Sequence, residues 1–116
     1  MKIHCDCGAW VIDSTDDLPH KAHLFPDQGY YNMVDAIDDV VIDQLAEGTI
    51  DRDTAYMRLR ELVSGGRLVW QCSSCGQLFV DDPTHTIRSF APVDEPPARE
   101  VLRRTVRRDE PPARDA

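Results

Sequence analysis

All four cysteines of this 116-residue chain lie in two short pairs that are separated by 64 residues. The first pair is in Cys5-Asp6-Cys7-Gly8 and the second is in Cys72-Ser73-Ser74-Cys75-Gly76. Each pair lies between two predicted strands, and the glycine after it permits the positive φ that a tight turn often needs. Two thiolates in such a turn can grip one metal ion, and two turns brought together supply a tetrahedral set of four. The spacing therefore predicts that two distant hairpins meet around a metal site.

The cysteine pairs, their glycines and the flanking strands resemble those of zinc-ribbon and rubredoxin-like proteins, in which two cysteine knuckles clamp one metal ion. The first knuckle is one residue shorter than the usual Cys-x-x-Cys, so His4 is kept as an alternative ligand. The resemblance implies zinc, with iron as the alternative, because both metals accept four thiolates. The candidate metal ligands are Cys5, Cys7, Cys72 and Cys75.

Two other uses of paired cysteines are less favoured. Disulfides within the pairs would close very short loops, and the first residues lack the apolar run of a secretory leader. A redox Cys-x-x-Cys motif precedes a helix, whereas Gly76-Gln77-Leu78-Phe79-Val80 is typical of a strand. No stretch approaches the roughly 18 apolar residues of a membrane span. We therefore expect a cytoplasmic protein that does not contact membranes.

Between the cysteine pairs, apolar residues recur at helical spacing from Tyr30 to Leu45, and Gly48 supplies a stop. A second helix is predicted after Asp51, a good N-cap, and Gly65-Gly66 ends it. Residues 14–29 are predicted to form a loop. The predicted strands are Lys2 to Cys5, Trp10 to Asp13, Arg67 to Cys72, Gln77 to Asp81 and Thr86 to Phe90. The fold class is α+β: a small zinc-ribbon-like antiparallel sheet with a two-helix hairpin inserted at about residues 30–66.

The last 25 residues differ in composition from the rest of the chain. Residues 1–91 hold 15 acidic and 7 basic side chains, whereas residues 92–116 hold six of each and five of the eight prolines. The hexapeptide Asp-Glu-Pro-Pro-Ala-Arg occurs twice, at residues 94–99 and 109–114. We predict a domain over residues 1–91 and a flexible Pro/Arg-rich tail over 92–116, in which a short helix near residues 98–108 would form only on docking.

The net charge of −8 disfavours a phosphate backbone as partner and favours a basic protein. Four aspartates share the first predicted helix, and four arginines crowd the tail. The candidate partner-binding residues are Asp35, Asp38, Asp39, Asp43, Arg103, Arg104, Arg107 and Arg108. We predict a non-catalytic zinc-binding protein that acts as an adaptor, an inhibitor or an immunity-like partner of a basic protein. The sequence does not fix its oligomeric state.

Two alternatives stay open. The first is a nucleic-acid-associated zinc ribbon, an accessory of transcription or translation, that binds through the arginine-rich tail. The second is a metal-dependent hydrolase that uses His20 and His23, which lie in a loop rich in carboxylates and hydroxyls.

Overall fold

The computed structural model describes residues 1–105 of the chain. The fold is α+β, with two antiparallel sheets and a pair of helices. Strands β1 (Lys2–His4) and β2 (Trp10–Ile12) form a two-stranded hairpin in which Ile3 pairs with Val11. The second sheet has the order β3-β4-β5-β6. Its strands are β3 (Lys21–Leu24), β4 (Arg67–Gln71), β5 (Leu78–Asp81) and β6 (Ile87–Phe90).

Two helices connected by a short loop lie between β3 and β4. The first runs through α1 (Asp27–Ile37), a π-helical segment (Asp38–Ile42) and α2 (Asp43–Glu47), and it ends at Gly48 with a φ of 76°. The second is α3 (Arg52–Val63), which begins where the carboxylate of Asp51 accepts the Thr54 N–H at 2.8 Å. The sequence predicts both the Gly48 stop and the Asp51 N-cap. A glycine can end a helix because it adopts the left-handed conformation, and an aspartate can begin one because its carboxylate accepts a free backbone N–H.

The chain divides into two compact units. The knuckle unit comprises Met1–Ala22, Val69–Val80 and the described residues from Ile87 on. The helical unit comprises His23–Leu68 and Asp81–Thr86. In the helical unit, the buried residues are Val41 and Ala55, one from each helix. The buried residues of the knuckle unit are Cys5, Val11, Val69, Trp70, Gln71, Cys72, Gly76 and Phe79.

Strand β3 lies within the stretch that the sequence predicts to be a loop, and this part of the prediction was wrong. Lys21-Ala22-His23-Leu24 has no β-branched residue, so its local preference for a strand is weak. It forms a strand because it lies beside β4 at the edge of the sheet. Pairing with a neighbouring strand has overridden local propensity here.

The π-helical segment is a second feature that the apolar periodicity does not predict. The N–H of Asp43 donates to the carbonyl of Asp38, five residues back, instead of four. From α3, the Nη1 atom of Arg58 donates to the carbonyl of Val40 at 2.9 Å and to Oε1 of Gln44 at 2.6 Å. The guanidinium therefore satisfies a carbonyl of the irregular turn and ties α3 to it.

We expect Arg58→Met to destabilise the helical unit by about 1–3 kcal/mol, because it removes a charge-assisted donor while keeping the aliphatic stem. Thermal unfolding followed by far-ultraviolet circular dichroism measures the loss. Arg52→Met, at the exposed start of α3, is the matched control and should unfold close to wild type. Equal melting temperatures for the two variants would show that Arg58 does not stabilise the π-helical segment.

Residues 92–105 contain a turn near Val101, where the N–H of Arg103 donates to the carbonyl of Glu100, and no helix. Ala98 and Val101 are hydrogen-bonded to Gln71, so the first part of the predicted tail contacts the body of the knuckle unit. Arg107, Arg108 and the second hexapeptide lie outside the described residues. Over residues 1–105, no helix is long and apolar enough to cross a membrane.

Candidate metal centre

The first cysteine knuckle is the turn of the β1-β2 hairpin. The N–H of Cys5 donates to the carbonyl of Ala9 at 2.9 Å, and the N–H of Gly8 donates to the carbonyl of Cys5 at 2.9 Å. Gly8 has a φ of 95°, which is the left-handed conformation that glycine adopts without a steric penalty. The turn therefore places Cys5 and Cys7 on one side of a tight loop.

The second knuckle repeats this pattern between β4 and β5. The N–H of Cys72 donates to the carbonyl of Gln77 at 2.9 Å, and the N–H of Gly76 donates to the carbonyl of Cys72 at 2.8 Å. Gly76 has a φ of 85°. The two knuckles have the same closing hydrogen bonds although they differ in length by one residue, so the shorter Cys-x-Cys pair still forms a knuckle.

The two knuckles bring all four cysteine sulfurs within 4.8 Å of one another. Sγ of Cys5 lies 3.4 Å from Sγ of Cys75, and Sγ of Cys7 lies 3.6 Å from Sγ of Cys72. A tetrahedral ion with metal–sulfur bonds of about 2.3 Å would place its sulfurs about 3.8 Å apart, close to these distances. A disulfide needs about 2.05 Å, and all four cysteines are free. The four cysteines could therefore hold a metal ion.

Burial and backbone N–H groups set the acidity of these thiols. Burial raises the pKa of Cys5 to about 12, because a buried thiolate loses its hydration. Burial also raises the pKa of Cys72, but hydrogen bonds to its sulfur have a larger opposite effect. These bonds come from the backbone N–H groups of Cys75 and Ser74 and from the Cys7 thiol, and they lower the pKa of Cys72 to about 7. Backbone N–H groups aimed at a sulfur stabilise a thiolate, which is the form that binds a metal ion.

A protein-family model matches residues 1–97 of the chain; its description is Domain of unknown function (DUF8617). The chain belongs to this family. The DUF8617 match includes both cysteine knuckles and ends within the first copy of the repeated hexapeptide. No curated protein and no solved structure matches the chain.

A polar contact between the buried Trp70 and the partly buried Asp13 and Lys21 supports the two knuckles in this DUF8617 chain. Asp13, one residue after β2, accepts the indole N–H of Trp70 in β4 at 2.9 Å and the ammonium group of Lys21 at 3.0 Å. The hydrogen bond from Trp70 and the positive charge of Lys21 together lower the pKa of Asp13 despite its burial. Because β2 follows the first knuckle and β4 precedes the second, this contact fixes the two cysteine-bearing elements relative to each other.

A neighbouring side chain that the sequence did not single out also contacts the sulfurs. Oε1 of Gln77, at the end of the second knuckle, lies 3.4 Å from Sγ of Cys5. A glutamine is not a preferred ligand of zinc or iron, so its residue type does not predict this contact. The one sequence signal for Gln77 is its position directly after Cys75-Gly76.

The histidines of the predicted sites lie elsewhere. The His4 ring packs against Trp10 with 4.6 Å between ring centroids. His20 is hydrogen-bonded through Nε2 to the carbonyl of Ile12 at 2.7 Å, and His23 is an exposed residue of β3. Within residues 1–105, the four cysteines form the one group of at least three metal-ligating side chains, and it contains no histidine.

The candidate partner-binding residues are all exposed where the structure describes them. In the helical unit, Asp35 lies in α1, Asp38 and Asp39 in the π-helical segment and Asp43 in α2. In the knuckle unit, Arg103 lies 3.7 Å from the carboxylate of Glu100, and Arg104 is also exposed. These residues thus lie at the surface of two separate units.

Proposed function

We propose that this protein is a non-catalytic zinc-binding protein that acts by binding a basic protein. The observation that carries the zinc assignment is the set of four sulfurs within 4.8 Å, supplied by two knuckles of the same hydrogen-bonding pattern. When bound, zinc would cross-link the two knuckles. With four protein ligands the coordination shell is full, so no position remains at which water could be activated.

The residues around the proposed zinc site would have different roles. Cys5 and Cys72 are buried and would form the inner side of the site, whereas Cys7 is exposed at its rim. Asp13 and Trp70 would hold the two knuckle-bearing elements in register. This arrangement favours a structural site, in which metal binding contributes directly to folding.

The proposed partner surface is the acidic face, defined as Asp35, Asp38, Asp39 and Asp43. These carboxylates are exposed, and they belong to a chain whose net charge is −8. Ile42 and Leu45, which neighbour Asp43 in sequence, are also exposed and could supply apolar contact area beside the charges. An acidic face of this kind speeds the encounter with a positively charged protein and repels a phosphate backbone.

We expect the variant with Asp35→Asn, Asp38→Asn, Asp39→Asn and Asp43→Asn to associate with its protein partner about tenfold more slowly at low salt. The partner is first recovered by affinity capture on the wild-type chain and identified by mass spectrometry. Association rates are then measured at two salt concentrations. The rate for the variant should depend less on salt, because fewer charges steer the encounter.

The control removes four charges from exposed loops through Asp16→Asn, Asp17→Asn, Asp94→Asn and Glu95→Gln. It separates loss of the acidic face from loss of net charge. Equal slowing in the two variants would show that only net charge matters. Unchanged association of the acidic-face variant at both salt concentrations would exclude that face from binding.

A further inference from the structure

Residues of both helices line an open groove in the helical unit. The groove has a volume of about 350 Å³, and its lining consists of Val40, Gln44, Arg58, Glu61 and Leu62. Ligand sites in proteins measure roughly 300–1,000 Å³ and often lie between helices. The volume of this groove is near the lower limit of that range, so it suits a ligand of about the size of a single amino acid.

The groove contains a guanidinium group that is fixed through one of its nitrogens. Nη1 of Arg58 donates to the carbonyl of Val40 in the π-helical segment and to Oε1 of Gln44. A guanidinium has five N–H groups, so three remain, on Nε and Nη2. Within residues 1–105, these three have no acceptor. Nε and Nη2 form one edge of the planar group, and two parallel N–H groups on such an edge bind a carboxylate in bidentate geometry.

The amide of Gln44 adds a further donor beside the guanidinium. Its Oε1 atom accepts from Arg58, so its NH₂ group is the other branch of the amide. In the part of the chain that the structure describes, this NH₂ group has no partner. Both side chains are half-buried, where a hydrogen bond is less weakened by water than at an open surface. Together they offer N–H donors and a positive charge to one anionic group.

The groove also contains the opposite charge. Glu61 lies three residues after Arg58 in α3, a spacing at which acidic and basic side chains commonly pair. Its carboxylate nevertheless has no hydrogen-bond or ion-pair partner among residues 1–105. The groove therefore presents a carboxylate without a partner and a guanidinium with an unused edge.

The charge of the surrounding unit narrows the class of ligand. The helical unit has 11 acidic and 4 basic side chains, so it repels a ligand whose only charge is negative. A ligand whose only charge is positive would leave the unused edge of Arg58 without an acceptor. A zwitterion provides a partner for both charged groups of the groove.

We propose that the groove is a binding site for a small zwitterion with an apolar side chain, that is, a free amino acid. The ligand carboxylate accepts from the Nε and Nη2 edge of Arg58 and from the amide of Gln44, and the ligand ammonium group pairs with Glu61. The apolar side chain packs on Val40 and Leu62. The π-helical segment then has a role, because its carbonyl at Val40 orients the guanidinium. Since the groove is open, we expect a weak, roughly millimolar affinity.

The test compares three ligands that share the side chain of leucine, each added to the full-length chain labelled with nitrogen-15. At neutral pH leucine has both charges, N-acetylleucine has only the carboxylate and leucinamide has only the ammonium group. Amide chemical shifts locate each ligand and give its dissociation constant. Leucine should shift the amides of Val40, Gln44 and Leu62. The other two ligands should bind about tenfold more weakly, because each lacks one charge-assisted contact.

The Glu61→Gln variant tests the contact with the ammonium group. It should fold like wild type, because Glu61 is exposed and has no partner within residues 1–105. In this variant, leucine should no longer bind more tightly than N-acetylleucine. Glu47→Gln is the matched control, because it removes an exposed carboxylate of α2 that does not line the groove. It should keep the preference of wild type for leucine.

Several results would overturn the proposal. One is a wild-type chain in which leucine does not shift the amides of the lining residues. Another is N-acetylleucine or leucinamide binding to wild type as tightly as leucine does. A Glu61→Gln chain that keeps the preference for leucine would exclude the contact with Glu61, and equal loss of that preference in Glu47→Gln would show that only net charge matters.

Discussion

The Cys72→Ser chain is expected to lose its metal ion and to purify with an unfolded knuckle unit. Cys72 is buried, and its sulfur accepts hydrogen bonds from the backbone N–H groups of Cys75 and Ser74, which stabilise the thiolate. A structural zinc site contributes on the order of 10 kcal/mol of apparent binding free energy, which is comparable to the whole stability of many small domains. Elemental analysis gives the metal content, and the fluorescence of buried Trp70 reports the fold.

Ser73→Ala, in the same turn, is the matched control, because it keeps all four sulfurs and changes an exposed side chain. It should bind one zinc ion and melt like wild type. A Cys72→Ser chain that stays folded without metal would refute the structural-site proposal.

An iron-loaded wild-type chain would have a visible absorption band, whereas the zinc form is colourless. His4→Ala should retain its metal, because the sulfur cluster does not include His4.

The same site should make stability depend on pH in a definite direction. With its pKa raised to about 12, the thiol of Cys5 is protonated at neutral pH until a metal ion displaces the proton. With a metal ion bound, the thiols would be ionised, so their pKa values would lie below those of the unfolded chain. The resulting stabilisation is present at high pH and is lost as the pH falls. The melting temperature of the zinc-loaded chain should therefore decrease on acidification.

The Asp13→Ala chain is expected to be less stable than wild type by about 2–4 kcal/mol. The substitution leaves the indole N–H of Trp70, which is 2% exposed, without its acceptor and leaves the mostly buried ammonium of Lys21 without its closest counter-charge. Denaturant unfolding followed by the fluorescence of Trp70 measures the loss. A Trp10→Phe background removes the signal of Trp10, which is 58% exposed.

Asp13→Asn is the informative comparison, since the amide oxygen can still accept the indole N–H but carries no charge. The free energy of unfolding of Asp13→Asn should lie between those of wild type and Asp13→Ala. The pKa of Asp13 is lowered in the folded chain, so its stabilisation is present above the unfolded pKa and is lost as the pH falls through the folded one. Both variants should lack this acid-dependent loss. Equal unfolding midpoints for wild type and Asp13→Ala would show that the contact does not stabilise the unit.

Local sequence patterns predicted much of this fold. Helical periodicity, the Asp51 cap and the Gly48 stop located both helices, because each is a short-range effect of side chains on their own backbone. The π-helical segment and β3 were not predictable in the same way. The first carries a hydrogen bond from Arg58, 18 residues beyond Val40, and the second is a strand beside β4. Contacts between elements that are distant in sequence leave no local pattern.

The same distinction applies to the site. Paired cysteines with following glycines indicate a knuckle locally, and the structure brings all four together. The residues Asp13, Trp70 and Gln71 do not belong to either cysteine motif, and nothing in their local sequence indicates their partners. Their roles follow from partners that lie 57 residues away for Asp13 and Trp70 and 27 residues away for Gln71 and Ala98. Such pairs become visible only when the chain has folded.

The distance in sequence between the two knuckles also sets an order of events during synthesis. Cys5 and Cys75, whose sulfurs lie 3.4 Å apart, are 70 residues apart in the chain. At about 5–20 residues per second, a ribosome needs roughly 3–14 s to add the residues between them. During that interval the N-terminal hairpin emerges with only two of the four cysteines that could hold a metal ion. Its thiols are open to oxidation or to a transient two-sulfur metal complex until the second knuckle leaves the ribosome.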